Sequence, residues 1–519
     1  MNMTRRRFGA SSLALGAMAA WAGAGAVPAF AQPIPRLEQV PGKPFLMLAN
    51  YDLGQLGYTV EEWFVSGAAS SYSLPDGPTE DGRWRAVPAD TAPYVTRIVV
   101  VRPSDPALFN GSLLVEWLNV SGGLDTPATW MVGHREMLRS GHAWVGLSMQ
   151  KVGVEGGASA MGQAGFPLKR INAERYGRLS HPGDAFSFDM FTQVGRLLKA
   201  SYGGAVLGGL RPSRMVAVGE SQSAAFLTTY VNAIDPLARV YDGFFVHSRF
   251  GSSAAIDGSP MRGGAANYPD HVRFRPDLRV PVLCVITETD LLGARLAGYH
   301  ASRRRDDARL RVWELPGAAH ADNYLFGGAM IDSGTLPVGE LAKVFLPTTR
   351  SQSGNSTVPF NPGMVHHYAV NAAIAALDRW LRAGRPPASA PTIRLASGGK
   401  PGVKPAVRRD ANGIAMGGVR TPWADVPTIA LSGEAVDPAN FAAMLAGSGV
   451  PFDAGRLARL YPGGREDYLR RFTRALDRAI RAGHLLAADR EEILAIAALN
   501  YGVMAAPDRP AAGLTGVSG

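Results

Sequence analysis

The chain has 519 residues, 46% of them hydrophobic, a formal net charge of +10 and a single cysteine. Its apolar content is ordinary for a globular protein, and the lone Cys284 excludes both an internal disulfide framework and a cysteine-rich metal site. The positive charge is spread as isolated arginines outside the N-terminus. Arg303-Arg304-Arg305 is answered at once by Asp306-Asp307, so no basic patch interleaved with aromatics points to nucleic acid.

Thr4-Arg5-Arg6-Arg7-Phe8 is a twin-arginine signature, followed from 9 to 27 by a stretch of Ala, Gly and Leu. Ala29-Phe30-Ala31 then offers small residues where a signal peptidase reads them. Together these predict an export signal over residues 1–31, cleavage before Gln32 and a periplasmic or secreted protein. The alternative is a retained anchor, for which this Gly- and Ala-rich run is weakly hydrophobic and barely long enough to cross a bilayer core of about 30 Å. No later stretch approaches an apolar run of about 20 residues, so no stable membrane insertion is expected after cleavage.

Residues 58–67 alternate polar and apolar side chains, which predicts antiparallel strands. From about residue 96, short β-branched runs alternate with longer amphipathic segments. The runs 98–101, 113–117, 143–147, 215–218, 243–246, 280–287 and 310–315 read as buried strands. The segments 128–139, 186–200, 224–233 and 370–383 carry apolar residues at helical spacing. This alternation predicts an α/β fold, a mostly parallel sheet covered by helices on both faces, with ligand chemistry at the carboxyl ends of its strands. Residues 386–427, rich in Gly, Pro and Ala, read as a linker or a long surface wrap. Two amphipathic helices follow at 468–480 and 490–503, either a small appended unit or a layer packed on the body.

Gly219-Glu220-Ser221-Gln222-Ser223 stands directly between the strand at 215–218 and the helical run from 224. A sharp strand-to-helix turn lifts one hydroxyl above the sheet and tolerates only small residues two positions either side of it; here those are Gly219 and Ser223. The helix start favours negative charge developing at that point. Ser221 is therefore the candidate nucleophile. An acid and a histidine should follow in that order. The strand at 280–287 ends in Glu288-Thr289-Asp290, and the strand at 310–315 leads into Pro316-Gly317-Ala318-Ala319-His320. His320 is the candidate general base, the only one of ten histidines on the loop after that strand. Asp290 is the preferred acid, and Glu288, nearer the strand end, is the alternative. Backbone N–H groups for an oxyanion are expected from Gln222 and from the glycine-bearing loop after 113–117, at Val120 and Ser121. His366-His367 are adjacent and so point apart on a helix. No metal or cofactor motif appears in a supporting context.

The strings Glu116-Trp117-Leu118-Asn119-Val120-Ser121-Gly122-Gly123, Gly219-Glu220-Ser221-Gln222-Ser223-Ala224, Thr287-Glu288-Thr289-Asp290 and 313–322 resemble the large α/β-hydrolase domain family. Arg175-Tyr176-Gly177, His181-Pro182-Gly183-Asp184 and 417–423 are similar to it as well, so the likeness reaches the tail. The resemblance implies an α/β-hydrolase fold and a Ser-acid-His triad on the positions above, and it implies no particular substrate. On this reading residues 32–400 form a catalytic domain with inserted cap or lid segments, and 401–519 form a C-terminal wrap and helical extension. The expected activity is a serine hydrolase, acting on a small-molecule ester without cofactor or metal. An acyltransferase or peptidase would use the same residues, and a non-catalytic binding protein on the same fold is the alternative of a different class.

Overall fold

The computed structural model describes residues 34–505, apart from 160–164, 201–202, 261–267, 294, 352–353, 397–404, 436 and 438–439. The export signal expected over residues 1–31 lies outside the described residues.

Nine strands form one sheet: β1 (Arg36–Val40), β2 (Tyr58–Ser73), β3 (Val87–Pro103), β4 (Ser112–Trp117), β5 (Ala143–Leu147), β6 (Arg214–Glu220), β7 (Gly243–His247), β8 (Val282–Thr287) and β9 (Leu310–Leu315). Their order is β1-β2-β3-β5-β4-β6-β7-β8-β9. The first three pair antiparallel and join β5 antiparallel, and from β5 through β9 every pairing is parallel. β3 is much longer than the apolar run 98–101 announces. Its first half is polar and carries Pro88 and Pro93, yet it pairs along β2, where one face of the ribbon is left to solvent. β8 begins at Val282 rather than 280; Pro281 has no N–H to donate to a ladder and only its carbonyl is used, by Phe244.

The central strands are apolar on both sides because both sides are covered. Val99, Val101, Val216 and Val218 face one core cluster, while Ile98, Val100, Met215 and Ala217 face the other. Helices α1 (Ala128–Arg139) and α5 (Met364–Ala383) fill the first side; α2 (Ser187–Lys199) and α3 (Gln222–Thr229) fill the second. α4 (Glu288–Leu292) is a single capped turn after β8. The helix expected to run to 233 is α3 up to Thr229 and then a wider π turn, Tyr230–Ile234.

The stretch after α5 is a wrap. Val419 N–H donates to the Glu314 carbonyl of edge strand β9 at 2.8 Å, and Ile393 N–H to the Glu314 carboxylate at 2.7 Å. A sheet edge covered in this way offers no template for pairing with another chain. Beyond it, α6 (Gly464–Arg481) and α7 (Arg490–Ala505) pack back on the body. Phe472, Leu476 and Ile493 belong to the same buried cluster as Val365 and Tyr368 of α5. The described residues from Ile34 onward cluster as one compact unit.

Candidate active site

Parallel pairing brings the ends of β6, β8 and β9 to one rim, and the three candidate side chains meet there. Ser221 has φ 58 and ψ −114, a conformation that L side chains rarely adopt, held between β6 and α3. The small neighbours are a steric requirement: a Cβ on Gly219 would lie 3.0–3.1 Å from Leu227 Cδ1 and Ser223 Cβ. Ser221 N–H donates to the His247 carbonyl of β7 at 3.0 Å, which anchors the turn to the next strand.

His320 Nε2 lies 2.8 Å from Ser221 Oγ, and its Nδ1 lies 2.5 Å from Asp290 Oδ1. The other Asp290 oxygen accepts from Thr287 N–H at 2.7 Å, and Thr287 Oγ1 accepts from Asp290 N–H, a reciprocal cap that fixes the carboxylate. The imidazole is buried and stacked on Phe250, with ring centroids 5.0 Å apart. Burial lowers its proton affinity, but the Asp290 and Glu220 carboxylates outweigh that, so the His320 pKa is raised above the usual histidine value.

Glu288, the alternative acid, does not reach His320. Its oxygens take the Gly317 N–H at 3.0 Å, the Ser432 hydroxyl at 3.2 Å and the Arg409 guanidinium. It is a buried fastener between the histidine loop and the C-terminal extension. Gly317 itself, at φ 75, has its Cα against Leu431, where a Cβ would lie 2.8 Å from the Leu431 Cβ. Asn361 Nδ2 holds the Gly317 carbonyl at 2.7 Å.

The three backbone donors differ. Gln222 opens α3, and an N–H in a first turn has no acceptor within its own helix. Val120 N–H donates to the Gln222 side-chain carbonyl at 3.2 Å, so that amide would have to swing aside for an oxyanion to take its place. Ser121 N–H is committed to Asn119 Oδ1 at 2.8 Å, so it is already spent within its own loop.

Three features of the site have no counterpart in the sequence reading. Glu220, also buried, places Oε1 3.3 Å from His320 Nε2. Asn119 Nδ2 donates to the Glu220 carbonyl and carboxylate at 3.1 and 3.3 Å, tying the loop after β4 to the turn before Ser221. His366 Nδ1 meets Asp322 at 3.0 Å and its Nε2 meets His247 Nε2 at 2.6 Å, a buried chain under the site. The signal for Glu220 was its place beside the serine; the other two depend on long-range folding. The adjacent His367 points elsewhere, to the Val132 carbonyl at 2.9 Å. Among the described residues, no three or more His, Cys, Asp or Glu are grouped to hold a metal ion, and no helix is long and apolar enough to cross a membrane.

A family model described as alpha/beta hydrolase domain matches residues 30–495. Comparison with curated proteins finds no match. Among solved structures, the chain is similar to an esterase named Est22 at 13% identity and TM-score 0.27, covering 47% of this chain and 68% of that one. It is similar to fungal esterases from Rhizomucor miehei at 10% identity and TM-score 0.26, over 50% and 77% of the two chains. For an esterase of Pyrococcus furiosus the values are 9%, 0.25, 53% and 86%. The extent of the family match, spanning the sheet, the histidine loop and the helices behind them, means that this chain belongs to the alpha/beta hydrolase domain family.

Proposed function

We propose that the protein is a serine hydrolase that cleaves carboxylic esters through an acyl-serine intermediate. The observation that carries this reading is the position of His320, whose two ring nitrogens contact Ser221 Oγ at 2.8 Å and Asp290 Oδ1 at 2.5 Å. Asp290 accepts a hydrogen bond from Nδ1–H, which keeps the proton on Nδ1 and leaves the Nε2 lone pair facing the serine hydroxyl. In the first half-reaction Ser221 Oγ attacks the ester carbonyl and its proton passes to Nε2. The tetrahedral oxyanion is stabilised by the Gln222 N–H and, once the Gln222 side chain swings away, by the Val120 N–H. The imidazolium then gives its proton to the departing alkoxide. Water repeats the sequence on the acyl-serine and releases the acid.

The apolar surroundings of the histidine suit an ester better than a charged substrate. Phe250, Ala321, Met444 and Leu445 form one buried cluster beside His320, supplied by segments after β7 and β9 and by the C-terminal extension. The test is a fluorophosphonate probe followed by mass spectrometry. A single adduct on Ser221, lost when His320 is replaced, supports the proposal; an unlabelled native protein or an adduct on another serine overturns it. Export by the twin-arginine route remains part of the proposal, on the strength of Arg5 and Arg6.

A further inference from the structure

Glu220 takes no part in the steps above, yet it lies beside the proton they move. The last residue of β6, it is buried, and His320 Nε2 faces two oxygens: Ser221 Oγ at 2.8 Å and Glu220 Oε1 at 3.3 Å. The second Glu220 oxygen is held by Asn119 Nδ2 at 3.3 Å, so the carboxylate is fixed in this position. A neutral imidazole with its proton on Nδ1 presents a lone pair to that carboxylate. Once Nε2 takes a proton, the same carboxylate becomes its acceptor.

We propose that Glu220 is a catalytic residue of this reaction, sharing one buried proton with His320 and setting the acidity below which Ser221 has no base. The assignment rests on the acyl-serine reading. As Ser221 Oγ attacks, its proton moves to Nε2, and Glu220 stabilises the imidazolium from the side opposite Asp290. The proton then leaves with the alkoxide, and Glu220 again faces a neutral ring.

The groups around Glu220 are consistent with this role. His320 and Asp290 face it from the loops after β9 and β8, His366 from α5, His247 from the paired position on β7, and Glu116 from β4. Its pKa is raised to about 7: burial and, less strongly, the Asp290 charge push it up against the opposing pull of His320, His366 and the Asn119 hydrogen bond. His366 is engaged by Asp322 and His247, and Glu116 by the Thr129 and Trp130 N–H groups and the Trp144 indole, so neither contacts the shared proton. Glu220 and His320, whose Oε1 and Nε2 lie 3.3 Å apart, should therefore titrate as one coupled pair.

The test is Glu220→Gln, which keeps the side-chain shape and an acceptor for Asn119 but removes the charge. With the carboxylate gone, the imidazolium loses a stabilising partner, so the acid limb of the kcat/KM profile should move to lower pH by roughly one unit or more. The high-pH plateau should fall about tenfold through kcat, with KM little changed. An acid limb that stays in place, or moves to higher pH, overturns the proposal; a merely structural residue would lower activity at every pH alike. If Glu220→Gln does not fold, the unmodified enzyme labelled with 13C-histidine decides: His320 should titrate in two steps, and a single step overturns the pairing. Ser221→Ala is run alongside. Near-native activity there removes the acyl-serine reading itself, whereas an inactive Ser221→Ala with an unmoved Glu220→Gln acid limb removes only the role of Glu220.

Discussion

The backbone N–H of Ala321, the residue after His320, donates to the carbonyl of Leu445 at 3.0 Å. The histidine loop is thus suspended from a segment more than a hundred positions later in the chain. Thr289 Oγ1 repeats the connection on the acid side by donating to the Gly433 carbonyl at 2.6 Å, and His320 N–H donates to the same Thr289 oxygen at 3.2 Å. The C-terminal extension therefore holds the acid loop and the histidine loop in mutual register.

Arg409 is the accessible point at which to test this clamp. Its guanidinium pairs with buried Glu288 and also reaches Glu434 at 2.9 Å. Arg409→Ala leaves the Glu288 carboxylate buried with only the Gly317 N–H and the Ser432 hydroxyl as partners. The cost should be on the order of 2–4 kcal/mol, read as a lowered Tm, with kcat falling as the histidine loop loosens. An unchanged Tm would show that the extension is not fastened through this pair.

The two acids should separate sharply in kinetics. Asp290→Asn keeps the shape but removes the charge that holds the His320 tautomer, so kcat should fall by roughly 10³ to 10⁴. Glu288→Gln should mainly lower stability and leave kcat of the folded enzyme close to native. Steady-state kinetics beside thermal melts distinguish the two, and the reverse pattern would make Glu288 the acid.

Much of this was legible in the sequence because it depends on local pattern. The parallel strands are apolar runs, the elbow is a small-residue turn between strand and helix, and Asp290 and His320 follow strands whose order the fold fixes. The sequence favours Asp290 over Glu288 by its spacing from the strand, but does not show the direction in which a one-turn helix points each of them. Thr287 settles that direction by capping Asp290, and Arg409, from far along the chain, draws Glu288 the other way. The length of β3 was hidden because half of it is solvated ribbon with no apolar signal. Nor could composition tell whether the final helices stood apart; it is Phe472 and Ile493 meeting Tyr368 in one cluster that joins them to the body.

Export is tested at its recognition signal. If Arg5 and Arg6 direct the folded chain to the twin-arginine route, replacing both by Lys should leave full-length precursor in the cytoplasm. Cell fractionation with N-terminal sequencing reads the outcome. Export that continues unchanged after the double replacement removes the proposal.

The nucleophile carries the whole functional reading, and its backbone makes a second, independent measurement available. Ser221→Ala removes the oxygen that His320 Nε2 contacts at 2.8 Å, so kcat on a small chromogenic ester should fall by roughly 10⁴ to 10⁶. His320→Ala should cost about as much, and the double mutant little more, because the members act as one unit. Stability should respond differently. At φ 58 and ψ −114 a Cβ is strained, by about 1 to 3 kcal/mol, and alanine keeps that Cβ. Ser221→Gly removes it and relieves the strain, so it should be as inactive as Ser221→Ala yet melt at a higher temperature than both the native protein and the alanine variant. Inactive variants in that order of Tm would mark a residue kept strained for its chemistry. Full activity in either one, or a glycine variant that melts lower, would mean that the turn at Ser221 serves the fold and not the reaction.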